Sequence, residues 1–231
     1  MSPRRDIVPL PSTTPAPWLV WQLIDSAFPA GGFAHSGGLE AARQHGEVRD
    51  RVELETFLTN NLRQLRWNFL PLVAAAYDET DRLAEWDSLA DAFLNNHVAN
   101  RASRLQGTAL QTAAERIFGE APFAQSRIHA ESHGHFAPLA GFVFRQLCVP
   151  RSEALELASF WQLRGWVASA VRLGIVGPLE AQAIQHHLGS LGRDVAVSAE
   201  TASVDDLAQT APLLDLWQGA QDRLYSRLFQ S

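Results

Sequence analysis

Apolar residues recur at three- and four-residue steps along most of this chain, the period that lines up side chains on one face of an α-helix. Leu54, Phe57, Leu58, Leu62, Leu65 and Phe69 form one such stripe. Asp50 followed by Glu53 reads as a capping box at its start, and Pro71 breaks or restarts the helix. The same period predicts helices over about 82–95 and about 98–118. In the second of these, Val98, Ala102, Leu105, Ala109 and Ala113 share a face of small residues that, with Gly107, suits close helix–helix approach. A short apolar helix over about 137–148 carries Pro138 in its first turn. Ser152 reads as the cap of a long helix over about 153–173, apolar nearly all round and therefore buried on several sides.

A further helix follows over about 178–191. The strip Asp194-Val-Ala-Val-Ser198 has strand character, but a lone strand has no partner. The last helix is predicted over about 212–228, with Leu213, Trp217, Ala220, Leu224 and Leu228 aligned. The expectation is an all-α, single-domain helical bundle of roughly eight to ten helices over 18–231. A Pro/Ser/Thr-rich lead-in at 1–17 is expected to be disordered.

Composition narrows the chemistry. The net charge is −6 at pH 7, which argues against nucleic acid as the main partner. All 19 basic residues are arginine, so a Walker-type NTPase and a lysine Schiff-base enzyme are both excluded. The single cysteine, Cys148, leaves no disulfide framework and no cysteine-based zinc site, and its apolar surroundings predict a small buried hydrophobe. No signal peptide is read at the N-terminus, and the longest apolar region is interrupted by Glu156, Arg164 and Arg172, so no membrane span is expected and the cytoplasm is the predicted compartment.

The densest run of special backbone residues is Asp25-Ser-Ala-Phe-Pro29-Ala-Gly31-Gly32-Phe-Ala-His35-Ser36-Gly37-Gly38-Leu-Glu40. It imitates a phosphate-binding loop, but Gly38 stands where lysine is needed. Its glycines are mis-spaced for a dinucleotide fingerprint. Ala34-His-Ser36-Gly-Gly38 also imitates a nucleophile elbow, which would make the chain a serine hydrolase using Ser36. That elbow needs a preceding strand, and Pro29 with two glycines cannot supply one. Ser36 reads instead as the N-cap of a helix running to about Gly46, with Glu40 in its first turns. His129, His133 and His135 raise a minority metal-binding reading, weakened by Gly134 and by the lack of any nearby cysteine. Acid pairs at Asp205-Asp206 and around Asp78 read as surface groups near helix starts. Seven tryptophans are a high count, and Trp161, Trp166 and Trp217 fall in apolar faces.

The Gly-rich run resembles a block of the UreF family of urease accessory proteins. The resemblance continues in Asn100-Arg-Ala-Ser-Arg104-Leu-Gln106-Gly107, in His133-Gly-His-Phe-Ala-Pro-Leu-Ala-Gly141, in Ser169-Ala-Val-Arg172-Leu-Gly174-Ile-Val-Gly177-Pro-Leu-Glu-Ala-Gln182 and in Tyr225-Ser-Arg227-Leu228-Phe229-Gln-Ser231. Phe28 is a departure from the family's smaller aliphatic residue. The resemblance implies a non-enzymatic, homodimeric maturation factor with no cofactor and no metal of its own. It implies binding to a UreD/UreH-type accessory protein, recruitment and regulation of a UreG-type GTPase, and nickel insertion into apo-urease. It gives Asp25, Pro29, Gly31, Gly32, His35, Ser36, Gly37, Gly38, Glu40, Arg104, Gln106, Gly107, Arg172, Gly174, Gly177 and Gln182 structural roles. It assigns Tyr225, Arg227, Leu228 and Phe229 to partner binding, as the end of an amphipathic tail helix.

Overall fold

Helix starts and stops follow local chemistry. Asp50 accepts a hydrogen bond from the Glu53 amide at 3.0 Å and opens α3 (Arg51–Asn68). Asn96 does the same for α6 (His97–Phe118), accepting from Val98 and Ala99. Pro71 stands in the first turn of α4 (Leu70–Asp78) and separates it from α3. The computed structural model describes residues 17–127 and 132–231, and the predicted lead-in lies outside them except for Pro17. The remaining helices are α1 (Pro17–Ile24), α2 (Leu39–Gln44), α5 (Leu83–Phe93), α7 (Phe136–Gln146), α8 (Arg151–Arg172), α9 (Pro178–Ala199) and α10 (Pro212–Ala220). No strand occurs among the described residues, and the all-α expectation holds.

The core is built around α8, which packs against α9, α4, α3 and α7. Its Leu155, Ala158, Trp161, Leu163 and Val167 are buried, as its apolar circumference predicts. α4 and α7 approach closely because Gly141 faces the α4 backbone: a Cβ there would stand 2.1 Å from the Val73 carbonyl oxygen. Gly107 plays a similar part, but against a loop: a Cβ would stand 2.0 Å from the Gly134 oxygen.

Several boundaries depart from expectation. The strip 194–198 is the last part of α9, which runs on to Ala199. Val195, Ala196 and Ala199 are buried, so tertiary packing overrides the strand preference of its two valines. α8 begins at Arg151 after Pro150, which places Ser152 inside the first turn instead of at the cap. On α6 the buried stripe is Val98, Ala102, Leu110, Ala113 and Ala114, and Leu105 faces solvent. Cys148 is exposed, with φ 57°, because it turns the chain between α7 and α8. The last helix stops at Ala220, a turn at Gln221–Arg223 follows, and residues 224–231 are non-helical. Leu213 and Leu216 point outward, while Leu214 and Trp217 pack on the core.

Candidate functional site

The Gly-rich loop meets the end of the chain. Gly31, Gly37 and Gly38 all have positive φ, which side chains rarely adopt. A Cβ on Gly37 would collide with the Trp166 indole nitrogen at 2.5 Å, and one on Gly31 would stand 2.9 Å from Ala109 Cβ. The loop is thus pressed onto α6 and α8. Arg172, in the last turn of α8, donates to the Phe33 carbonyl and lies 3.9 Å from the Phe33 ring. It also lies 4.1 Å from the Phe229 ring. One guanidinium therefore stacks on a loop aromatic and a tail aromatic.

Backbone bonds close the seam. Gln230 N–H donates to Ala34 O at 2.9 Å, and Ser36 N–H donates to Ser231 O. Glu40 is buried, and its carboxylate accepts from Leu228 N–H at 2.6 Å, Phe229 N–H at 3.1 Å and the Gln221 side-chain amide at 2.6 Å. The carboxylate is a receptor for the tail, which the reading of Glu40 as a helix-dipole residue missed. Its donors lie far along the chain, so no local pattern announces them. The same partners explain why residues 224–231 leave the helix: Glu40 and the loop backbone satisfy their amides. Ser36 is fully buried, and its hydroxyl lies 3.4 Å from the Glu40 amide, while the N-cap position belongs to Gly38. His35 pairs through Nδ1 with the Ser231 hydroxyl. Burial, reinforced by the charge of Arg101, lowers its pKa to about 4, so the ring is neutral at pH 7.

The tail residues divide sharply. Phe229 is buried, Leu228 is half exposed at 53%, and Tyr225 projects fully into solvent. Arg227 pairs with Asp222 at 3.1 Å, and Asp222 also receives Arg101 at 2.8 Å and His97 at 3.2 Å. The Arg101 bonds are the chief cause of a lowered Asp222 pKa. Neither Gln221 nor Asp222 was singled out from sequence, since each acts through residues remote in the chain.

The other motif residues frame the seam. Asp25 accepts from the Ala27 amide, Pro29 is exposed, and Phe28 stacks against Phe118 and Trp161. Gly32 and Gln106 line a cavity of about 170 Å³ beside His35, Gln64, Trp166 and Ser231. Gly174 ends α8 with φ 65°, and the Gly177 amide is capped by Glu180. Gln182 is exposed on α9 and sits outside this constellation.

The second histidine region has its own anchor. Asp87, buried on α5, accepts from the amides of His133, Gly134 and His135 and from the Ser132 hydroxyl. His135 is buried between Ser103 and Asp91, each 3.1 Å from a ring nitrogen, and burial lowers its pKa against the opposing pull of Asp91. His133 lies 3.6 Å from the same carboxylate, and His129 falls outside the described residues. Among the described residues, no group of three or more His, Cys, Asp or Glu side chains is placed to hold a metal ion. His135 is thus engaged as a packing and hydrogen-bonding residue. No helix among them is long and apolar enough to cross a membrane.

Comparison with known proteins gives this geometry a family. A sequence model described as UreF matches residues 48–189. Urease accessory protein F of Arabidopsis thaliana is 37% identical over 99% of this chain and 98% of its own length. Urease accessory protein F of Oryza sativa subsp. indica is 34% identical, covering 92% and 84% of the two chains. Urease accessory protein UreF of an Arthrobacter strain is 31% identical, covering 91% and 95%. With its family model spanning the central helices and its similarity running nearly end to end, the chain belongs to the UreF family of urease accessory proteins.

Proposed function

We propose that this chain is a non-enzymatic scaffold for urease maturation. In this reading it acts in the cytoplasm as a homodimer, binds a UreD/UreH-type accessory protein, and recruits and regulates a UreG-type GTPase for nickel insertion into apo-urease. The observation that carries the proposal is the near full-length similarity to urease accessory proteins. The site is consistent with holding rather than turning over a substrate. A nucleophile needs an accessible oxygen within reach of a base, whereas Ser36 is sealed in the seam and the neighbouring His35 bonds to Ser231. The serine hydrolase alternative therefore predicts labelling by a fluorophosphonate probe, and the scaffold reading predicts none.

The tail offers partners the outward side of a docked, non-helical segment. Tyr225, Arg227 and Leu228 present polar and apolar surface, while Phe229 anchors the segment from within. Trp18 and Trp21 form a second exposed aromatic pair, with centroids 5.3 Å apart, suited to an interface. Deleting 225–231 would strip Glu40 of two donors, so exposed point substitutions are the cleaner test. Tyr225→Ala combined with Leu228→Asp is expected to abolish co-purification with UreD- and UreG-type partners and urease activation. Helicity and oligomeric mass should be unchanged. A variant that still assembles and activates urease overturns the tail assignment.

A further inference from the structure

The first turns of α6, the Leu94–Asn95 segment before it and His133 build a groove outside the loop-tail seam. It has a volume of about 690 Å³ and is lined by Asn95, His97, Arg101, Arg104, Leu105 and His133, among others. Its floor is the first three turns of α6, whose N-terminal end favours anions. The chain as a whole is acidic, with net charge −6, yet Arg101 and Arg104 both line this groove.

The local charges do not cancel. Asp222 is shared among Arg101, Arg227 and His97. Asp91, the other nearby carboxylate, is occupied by Asn100, His133 and His135. Arg104 donates through Nε to the His133 carbonyl, and no carboxylate pairs with it among the described residues. Arg104 lines the groove, and its guanidinium keeps terminal N–H donors in the planar arrangement that can grip a carboxylate in a bidentate manner. Leu105, 48% exposed, adds an apolar contact beside it.

We propose that this groove docks a carboxylate-rich segment of a partner protein, with Arg104 as the primary contact and Arg101 shared between that segment and Asp222. Asp222, which does not itself line the groove, acts as a resident competitor for Arg101 until an acidic partner displaces it. The proposal rests on the reading of the chain as a docking scaffold, but its test needs no urease component.

The test uses the full chain and a fluorescein-labelled hexaglutamate peptide, followed by fluorescence anisotropy at low salt. Wild-type protein is expected to bind, and added salt to weaken binding. Arg104→Gln, which keeps an amide donor, should weaken binding by about tenfold. Asp222→Asn should tighten it several-fold, a change of sign that misfolding cannot produce. Arg193→Glu, at a pair with Glu156 on the far helix α9, serves as the control for diffuse electrostatics. The proposal is overturned if hexaglutamate does not bind, if Arg193→Glu is as damaging as Arg104→Gln, or if Asp222→Asn weakens binding. It is likewise overturned if single-stranded RNA of equal charge binds more tightly than the peptide, since the groove would then favour phosphodiesters. Groove binding without partner assembly would sink the urease reading alone, and partner assembly unaffected by Arg104→Gln would sink the groove alone.

Discussion

The α4–α7–α8 core and the loop-tail seam are held by opposite means. In the core, Phe142, Phe144 and Leu155 are buried, and Gly141 lets two helix backbones touch. Such packing is non-directional and tolerates little change of volume. In the seam four polar groups, Glu40, His35, Ser36 and Gln221, are buried beside the Phe229 ring. Each makes at least one specific hydrogen bond that offsets the cost of its burial, while Gln221 Oε1 makes none. A core built on contact fixes a fold, and a seam built on hydrogen bonds fixes one chain segment in one place.

The largest effect that separates the two regions is expected at Gly141. Its Cβ would meet backbone, which cannot rotate away, so Gly141→Ala should cost about 3 kcal/mol or more and lower the urea midpoint of the whole domain. Glu40→Ala comes next. It leaves two tail amides and the Gln221 side chain without their acceptor, at about 2–3 kcal/mol. The loss should be local: hydrogen exchange of 224–231 rises steeply while α4, α7 and α8 stay protected. Uniform loss of protection would show that seam and core are one cooperative unit.

A smaller effect follows from His35. Its folded pKa, about 4, lies below the ordinary 6.5, so the unfolded chain binds a proton that the folded one refuses. Stability is therefore full above pH 6.5 and falls as pH drops toward about 4, by about 2 kcal/mol once partial solvent access is allowed for. His35→Gln should flatten that dependence, and denaturant midpoints near pH 7 and about pH 4.5 would reveal it. Ser36→Ala is the mildest change. Only a 3.4 Å side-chain bond is lost, and the backbone bond to Ser231 remains, so it should cost under about 1 kcal/mol and leave urease activation intact.

The same division governed what could be read from sequence. Core helices announce themselves through periodic Leu and Phe and through caps such as Asp50, all local signals. The glycines at 31, 37 and 38 mark a shaped loop because their backbone geometry is a property of single residues. The tail did not yield to this reasoning. Leu224 and Leu228 fit a helical stripe, yet the tail is held by Glu40, whose bonds to Leu228 and Phe229 span 188 and 189 residues. No window of sequence contains both ends of that contact. The 194–198 strip failed for a related reason, since burial on α9 outweighs the local preference of its valines.

Those long spans also order events during synthesis. Glu40 leaves the ribosome well before Gln221, Leu228 and Phe229 exist, while the partners of α4, α7 and α8 follow one another at modest separation. Loop closure over such distances is slow compared with helix pairing. The core helices therefore assemble first around an open loop, with Glu40 still hydrated, and arrival of the tail is the closing step. Vectorial synthesis thus orders the two regions: until residues 221–229 have been made, Glu40 and Arg172 lack their tail partners.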